Sequence, residues 1–159
     1  MKSLAEYLAK KAKSKIKNEK RRAKAKLLWV ADTASRTSVK AKIVRALGLL
    51  DRQRNGNSCR IHGAPCVGGV AYHILPQMNG DAFRFIEENV IWACNQANRG
   101  EQMNRDLYAQ KHRQIFGDAY IQAIRDEAAR IKASPGFPYT RAALREIFES
   151  VKKRLTEPR

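Results

Sequence analysis

A chain of 159 residues suits one domain of ordinary size, and a hydrophobic content of 43% supplies a real core, which excludes wholesale disorder. Its 32 Lys and Arg stand against 15 Asp and Glu, a formal net charge of +17 that points to a polyanionic partner. The longest apolar runs, near 27–31 and 67–72, fall far short of the ~18 residues of a membrane span, and the early lysines leave no signal-peptide stretch, so a cytoplasmic protein is expected.

Residues 1–26 carry eleven Lys and Arg against two Glu, with no Gly or Pro, and read as a basic helix or arm. Only Leu4, Tyr7, Leu8 and Ile16 offer it an apolar face, too little for a membrane-surface helix. Nucleic acid is therefore the expected partner. The candidate phosphate contacts are Lys10, Lys11, Lys13, Lys15, Lys17, Lys20, Arg21, Arg22 and Lys24. RNA stays open on charge alone, although no aromatic RNP-like pattern supports it.

A second helical segment spans 27–56. Ser38 caps it ahead of Val39, Ile43, Val44, Leu47 and Leu50, one apolar stripe, and Asn55-Gly56-Asn57 turns the chain. From 58 to about 80 the helical period disappears, giving a compact loop-and-hairpin region. The stretch 87–103 reads as a short helical or extended segment with a turn at 94–98. Helices follow at 104–116 and 118–132, parted by Gly117, and on that charged surface His112 is expected to be exposed. Ser134-Pro135-Gly136-Phe137-Pro138 is a break. Thr140 then caps a last helix whose Leu144, Ile147, Phe148, Val151 and Leu155 form an apolar face. Trp29 and Trp92 read as core.

All three cysteines and two of the three histidines lie between 59 and 94, as Cys59-x2-His62-x3-Cys66, His73 and Cys94. An odd cysteine count in a cytosolic chain argues against a disulfide framework. Cys59, His62, Cys66 and Cys94 are the kinds of ligand that structural zinc takes, and the alternative is three free thiols with His62 at the surface.

The segment 72–98 carries Tyr72-His73-Ile74-Leu75-Pro76, then Arg84-Phe85, Glu88-Asn89-Val90 and Ala93-Cys94-Asn95-Gln96-Ala97-Asn98. It resembles the HNH, or ββα-metal, nuclease finger, and within that group the NinG/Rap recombination nucleases of lambdoid phages. The resemblance covers roughly 57–125. It implies a mainly α chain with a small β-hairpin, in which a zinc-stabilised, treble-clef-like finger over 57–116 sits between basic N-terminal helices and C-terminal helices over 117–159. It further implies a metal-dependent DNA endonuclease acting on branched DNA.

By position, the resemblance makes His73 the general base, Asn89 the residue that orients the hairpin, and Asn98 a ligand for a catalytic Mg²⁺ or Mn²⁺. Arg84 and Arg99 become phosphate contacts, and Cys59, His62, Cys66 and Cys94 hold structural Zn²⁺. His73 and Asn98 are thus expected to converge on one cation. Two residues depart from the pattern. Ala97 stands in place of the last zinc cysteine, so either Cys66 is recruited as the fourth ligand or the zinc is absent; Tyr72 stands where many such fingers carry a metal-binding Asp. Those departures keep a second reading in view, a non-catalytic nucleic-acid binder on an HNH-like scaffold. The C-terminal helices are expected to pack on the central unit or on a second copy of the chain; junction enzymes of this kind work as dimers, and the helix over 140–155 is the candidate homodimer interface.

Overall fold

The computed structural model describes residues 13–20, 22, 39–66, 68–76 and 79–157. Residues 13–20 are helical and exposed. Helix α1 runs Val39–Asn55 and buries Ile43, Ala46, Leu47, Leu49 and Leu50. Strand β1 is Val70–His73. A short helix α2, Asp81–Arg84, and a 3-10 turn, Glu87–Asn89, lead to β2, Val90–Ala93. Four helices complete the chain: α3 Asn95–Met103, α4 Arg105–Phe116, α5 Asp118–Ala133 and α6 Arg141–Thr156. The chain is mainly helical, with one small hairpin.

The two strands pair antiparallel in the register Val70–Ala93, Ala71–Trp92, Tyr72–Ile91 and His73–Val90. The hairpin therefore closes across 74–89, so the 58–80 region expected to contain it holds its first strand, together with an isolated bridge between Ser58 and Pro65, and the second strand lies beyond it. The expected turn at 94–98 is instead the first turn of α3. The Cys94 side chain caps it by accepting the Ala97 N–H at 3.4 Å, an N-cap role that thiols rarely fill.

Helix α1 is the centre of the packing and meets α6 and both strands. Its stripe is interrupted by Gly48, where a Cβ would stand 2.6 Å from the Ala71 Cβ. Glycine costs helix stability but lets the backbone of α1 lie directly on β1. Leu144, Phe148, Val151 and Leu155 of α6 are all buried within the chain, and α6 packs on α1. The apolar face expected to join two copies is thus consumed inside one, because α1 offers a complementary face. Thr140 caps α6 as expected, accepting the Ala143 N–H at 3.1 Å.

Polar ties fix the end of α1 to the hairpin. Asp51 accepts the Trp92 backbone N–H at 2.8 Å and the Arg60 guanidinium at 3.1 Å. Glu87 pairs with both Arg54 of α1 and Arg154 of α6, and Lys40 pairs with Asp81. No helix among the described residues is long and apolar enough to cross a membrane.

Candidate metal centre and hairpin site

The loop after α1 folds into a tight knuckle. Cys59 donates its N–H to the Ala64 carbonyl and accepts the Gly63 N–H, each at 2.7 Å. Gly63 turns the chain at φ 69°, a left-handed position that any side chain would strain. Cys66 is brought back by its own N–H to the Asn57 carbonyl, and Cys94 arrives from the end of β2 with its N–H on Cys59 Sγ at 3.3 Å. The Sγ atoms of Cys59, Cys66 and Cys94 all lie within 4.8 Å of one another. Bonds of ~2.3 Å to a tetrahedral zinc put sulfurs about 3.8 Å apart, so small adjustments admit the ion. His62 is exposed, and its Nδ1 sits 3.2 Å from Cys94 Sγ on the open side of the cluster. The group able to hold a metal such as zinc is the three thiols; the His62 ring touches Cys94 but is not part of that group.

Electrostatics favour a cation there. Burial works to raise the Cys59 pKa, yet N–H groups of Cys94, His62 and Ile61 outweigh it and pull the thiol below its ordinary value. Burial, then the neighbouring Cys59 and Cys94, push the Cys66 thiol up to about 11. Several thiolates crowd together only when a metal offsets their charge.

His73 closes β1. It is buried, and its Nε2 lies 3.1 Å from the Arg84 carbonyl oxygen. A carbonyl only accepts, so Nε2 carries the proton and the lone pair is on Nδ1. Burial, with a contribution from the Arg84 charge, lowers its pKa to about 4, against the opposing pull of that carbonyl. The ring is therefore neutral at physiological pH. Asn89, fully buried, accepts the Leu75 N–H at 2.7 Å and donates to the carbonyls of Leu75 at 3.1 Å and Phe83 at 2.8 Å. It pins both ends of the connection between β1 and α2.

The remaining expected residues are dispersed. Arg84 is half-buried and paired with Asp81 at 3.5 Å. Arg99, Lys13, Lys15, Lys17, Lys20 and Arg22 are exposed; Lys10, Lys11, Arg21, Lys24, Ser38 and Trp29 lie outside the described residues. Trp92 is core, with Arg52 over its ring. Asn98 stands half-buried on α3. That helix reaches β1 through Glu101, which hydrogen-bonds the Tyr72 hydroxyl. Successive strand residues point to opposite faces, and His73 reaches Arg84 on the other side. Among the described residues, the cysteine cluster is the only group of three or more His, Cys, Asp or Glu side chains able to hold a metal. The donors beside Asn98 thus do not make up a Mg²⁺ site by themselves.

His112 is a correction: it is 3% exposed, with Nε2 2.8 Å from the Tyr72 hydroxyl. Its neighbours Lys111 and Arg113 suggested a solvated face, but Tyr108, His112 and Phe116 recur every four residues and turn inward together. That spacing was the available signal. Nothing in the sequence marked Glu101 or Asp51.

No known protein family, curated protein or solved structure matches the chain.

Proposed function

We propose that this protein is a zinc-stabilised, HNH-like DNA endonuclease that hydrolyses a phosphodiester in branched DNA, with His73 as general base. The observation that carries the reading is the setting of His73. It ends the first strand of a β-β-α unit, its Nε2–H is fixed on the Arg84 carbonyl, and the loop beside it is pinned by Asn89. A neutral imidazole fixed at the end of β1 takes a proton from an attacking water. A pKa of about 4 keeps it unprotonated and makes it a weak base. An adjoining phosphate, being negative, raises that value towards the working pH.

The knuckle of Cys59, His62, Cys66 and Cys94 holds zinc and ties β2 to the loop after α1, which suits so small a hairpin. A divalent Mg²⁺ or Mn²⁺, when bound, offsets charge on the phosphate and the leaving 3′ oxygen. Asn98 stands on α3, on the Tyr72 side of the hairpin and away from His73, so phosphate and water supply the oxygens of that ion. The basic residues around 13–22, with Arg99, supply phosphate contacts that hold a large substrate. Two active sites on a junction call for a homodimer, through a surface other than the buried face of α6. A host-cell cytoplasm is the location this reading implies.

A specific observation favours the second reading, a nucleic-acid-binding scaffold. The residue at the family's Asp position, Tyr72, is 1% exposed and engaged with His112 and Glu101. Supercoiled and four-way-junction DNA incubated with Mg²⁺, Mn²⁺ or EDTA separate the two. Metal-dependent nicking that His73→Ala abolishes supports the endonuclease. Salt-sensitive binding without nicking in any metal supports the scaffold.

A further inference from the structure

Among the described residues four large apolar side chains are exposed, and Met103, at 88%, is the most exposed of them. Met103 ends α3, and Leu107, at 44%, lies in the first turn of α4, just past the break at Asn104. A single apolar residue at a surface is ordinary. Here two share a corner that is built to be rigid. Asn104 donates its N–H to the Gly100 carbonyl at 2.9 Å, and its side chain accepts the Leu107 N–H at 3.1 Å. Tyr108 lies directly on Gly100, where any Cβ would collide with its hydroxyl. The turn between the helices has little freedom, and its apolar tip is held out to solvent.

The rest of the outer face of α3 defines what suits that tip. At about 3.6 residues per turn, Asn95, Gln96, Arg99, Gln102 and Met103 fall within one arc of about 120° centred on Arg99. All five are exposed. Amides, one guanidinium and a thioether make up the arc. It holds no carboxylate: Glu101, the only acid of α3, is half-buried on the opposite side. Arg105 extends the positive surface onto α4, against one acid in that turn, Asp106. A second protein surface would call for a wider apolar core than two side chains. A polyanion suits a cationic, amide-rich face on a chain of net charge +17. Arginine and glutamine bond phosphates and base edges, and an apolar side chain among them has the form of a wedge that enters between bases.

The corner also bears on the shape of the DNA. Tyr72 reaches His112 of α4, whereas its neighbour His73 reaches the Arg84 carbonyl of α2. Helix α4 and His73 therefore lie on opposite sides of the hairpin. A straight duplex lies along one of these sides; a branched DNA, whose arms diverge, can meet both. At a branch point the base stack is already interrupted, so a wedge there avoids the unstacking cost it meets in a continuous helix. We infer that the outer face of α3 is a DNA-docking surface. On it Met103, supported by Leu107, covers an exposed base pair at a branch point, while Arg99 holds a flanking phosphate. This rests on the reading of branched DNA as the partner and names what recognises the branch.

The test uses the zinc-loaded full chain as wild type, Met103→Ala, Arg99→Ala and Ile115→Ala, the last an exposed apolar residue at the far end of α4. Binding to a four-way junction and to a linear duplex of matched sequence is measured without added Mg²⁺ or Mn²⁺, over a range of salt. A 2-aminopurine beside the branch point reports base stacking. Met103 is exposed, so Met103→Ala is expected to melt as the wild type does. The wild type prefers the junction and changes the 2-aminopurine signal. Met103→Ala loses about tenfold on the junction and little on the duplex, and the signal change disappears. Arg99→Ala weakens both complexes and lowers the salt slope by about one. Ile115→Ala matches the wild type.

No junction preference in the wild type, unchanged junction binding by Met103→Ala, or an equal loss in Ile115→Ala overturns the docking surface. So does a dimer, formed without DNA and dissolved by Met103→Ala in sedimentation, which gives the corner to a second copy. A preference for a matched RNA junction overturns the DNA assignment. Nicking assays keep the two ideas apart. Met103-dependent junction binding by a chain that never nicks removes the endonuclease reading and leaves the docking surface standing. Nicking that needs His73, with junction binding indifferent to Met103, removes the docking surface alone.

Discussion

Asn89 and Leu75 are joined twice: the Leu75 N–H donates to Asn89 Oδ1 at 2.7 Å, and Asn89 Nδ2 donates back to the Leu75 carbonyl at 3.1 Å. A third bond, to the Phe83 carbonyl, uses the remaining amide proton. Asn89→Ala strands a buried N–H and two carbonyls, and is expected to lower unfolding free energy by about 3 kcal/mol. Asn89→Asp, which sets a carboxylate against two carbonyls, is expected to be at least as damaging. Urea denaturation of the zinc-loaded proteins measures both.

Gly48 lies under Ala71 with no room for a methyl group. Alanine gains about 1 kcal/mol in a helix, but overpacking costs about 1–3 kcal/mol here. Gly48→Ala is therefore expected to lower the melting temperature, and adding Ala71→Gly is expected to restore part of the loss. Equal melting of wild type and Gly48→Ala would contradict the direct contact of α1 with β1.

His73 makes the fold acid-sensitive in a defined window. Its folded pKa is about 4 against an ordinary 6.5, so the unfolded chain takes the proton first as pH falls. The stability gained by keeping the ring neutral is complete above about 6.5 and is lost as pH drops towards 4. The full loss is roughly 3 kcal/mol. The stability difference between wild type and His73→Asn, followed by urea titration, is expected to change over that window and be flat above it.

The knuckle is expected to bind about one zinc per chain. Cys66, with its thiol pushed up to about 11, keeps its proton until the metal arrives, so loading at neutral pH releases protons. Cys59→Ser, Cys66→Ser and Cys94→Ser are each expected to remove most of the metal. His62→Ala, which leaves the three thiols, is expected to weaken binding without abolishing it. Metal analysis and a dye-based proton count check these outcomes.

Much of this architecture was legible before any coordinates. Gly117 and Thr140 mark the bounds of α4, α5 and α6 because a glycine break and a threonine cap act locally. The gathering of Cys59, Cys66 and Cys94 followed from ligand types. Strand β2 was ambiguous, since Val90, Ile91, Trp92 and Ala93 are all buried and show no alternation. The start of α3 was hidden by Asn95, Asn98 and Gly100, weak helix formers rescued by the Cys94 cap. The destination of α6 was tertiary information, decided by α1. So was the face on which Tyr72 meets Glu101 and His112, and with it the separation of the His73 and Asn98 environments.

The rate of supercoiled-plasmid nicking, wild type against His73→Ala at matched zinc content in Mg²⁺ and in Mn²⁺, bears most directly on the proposed chemistry. Removing a general base is expected to slow the wild-type reaction by about 100-fold or more while DNA binding is kept. Equal nicking by the two proteins, or none by either despite tight binding, would contradict it.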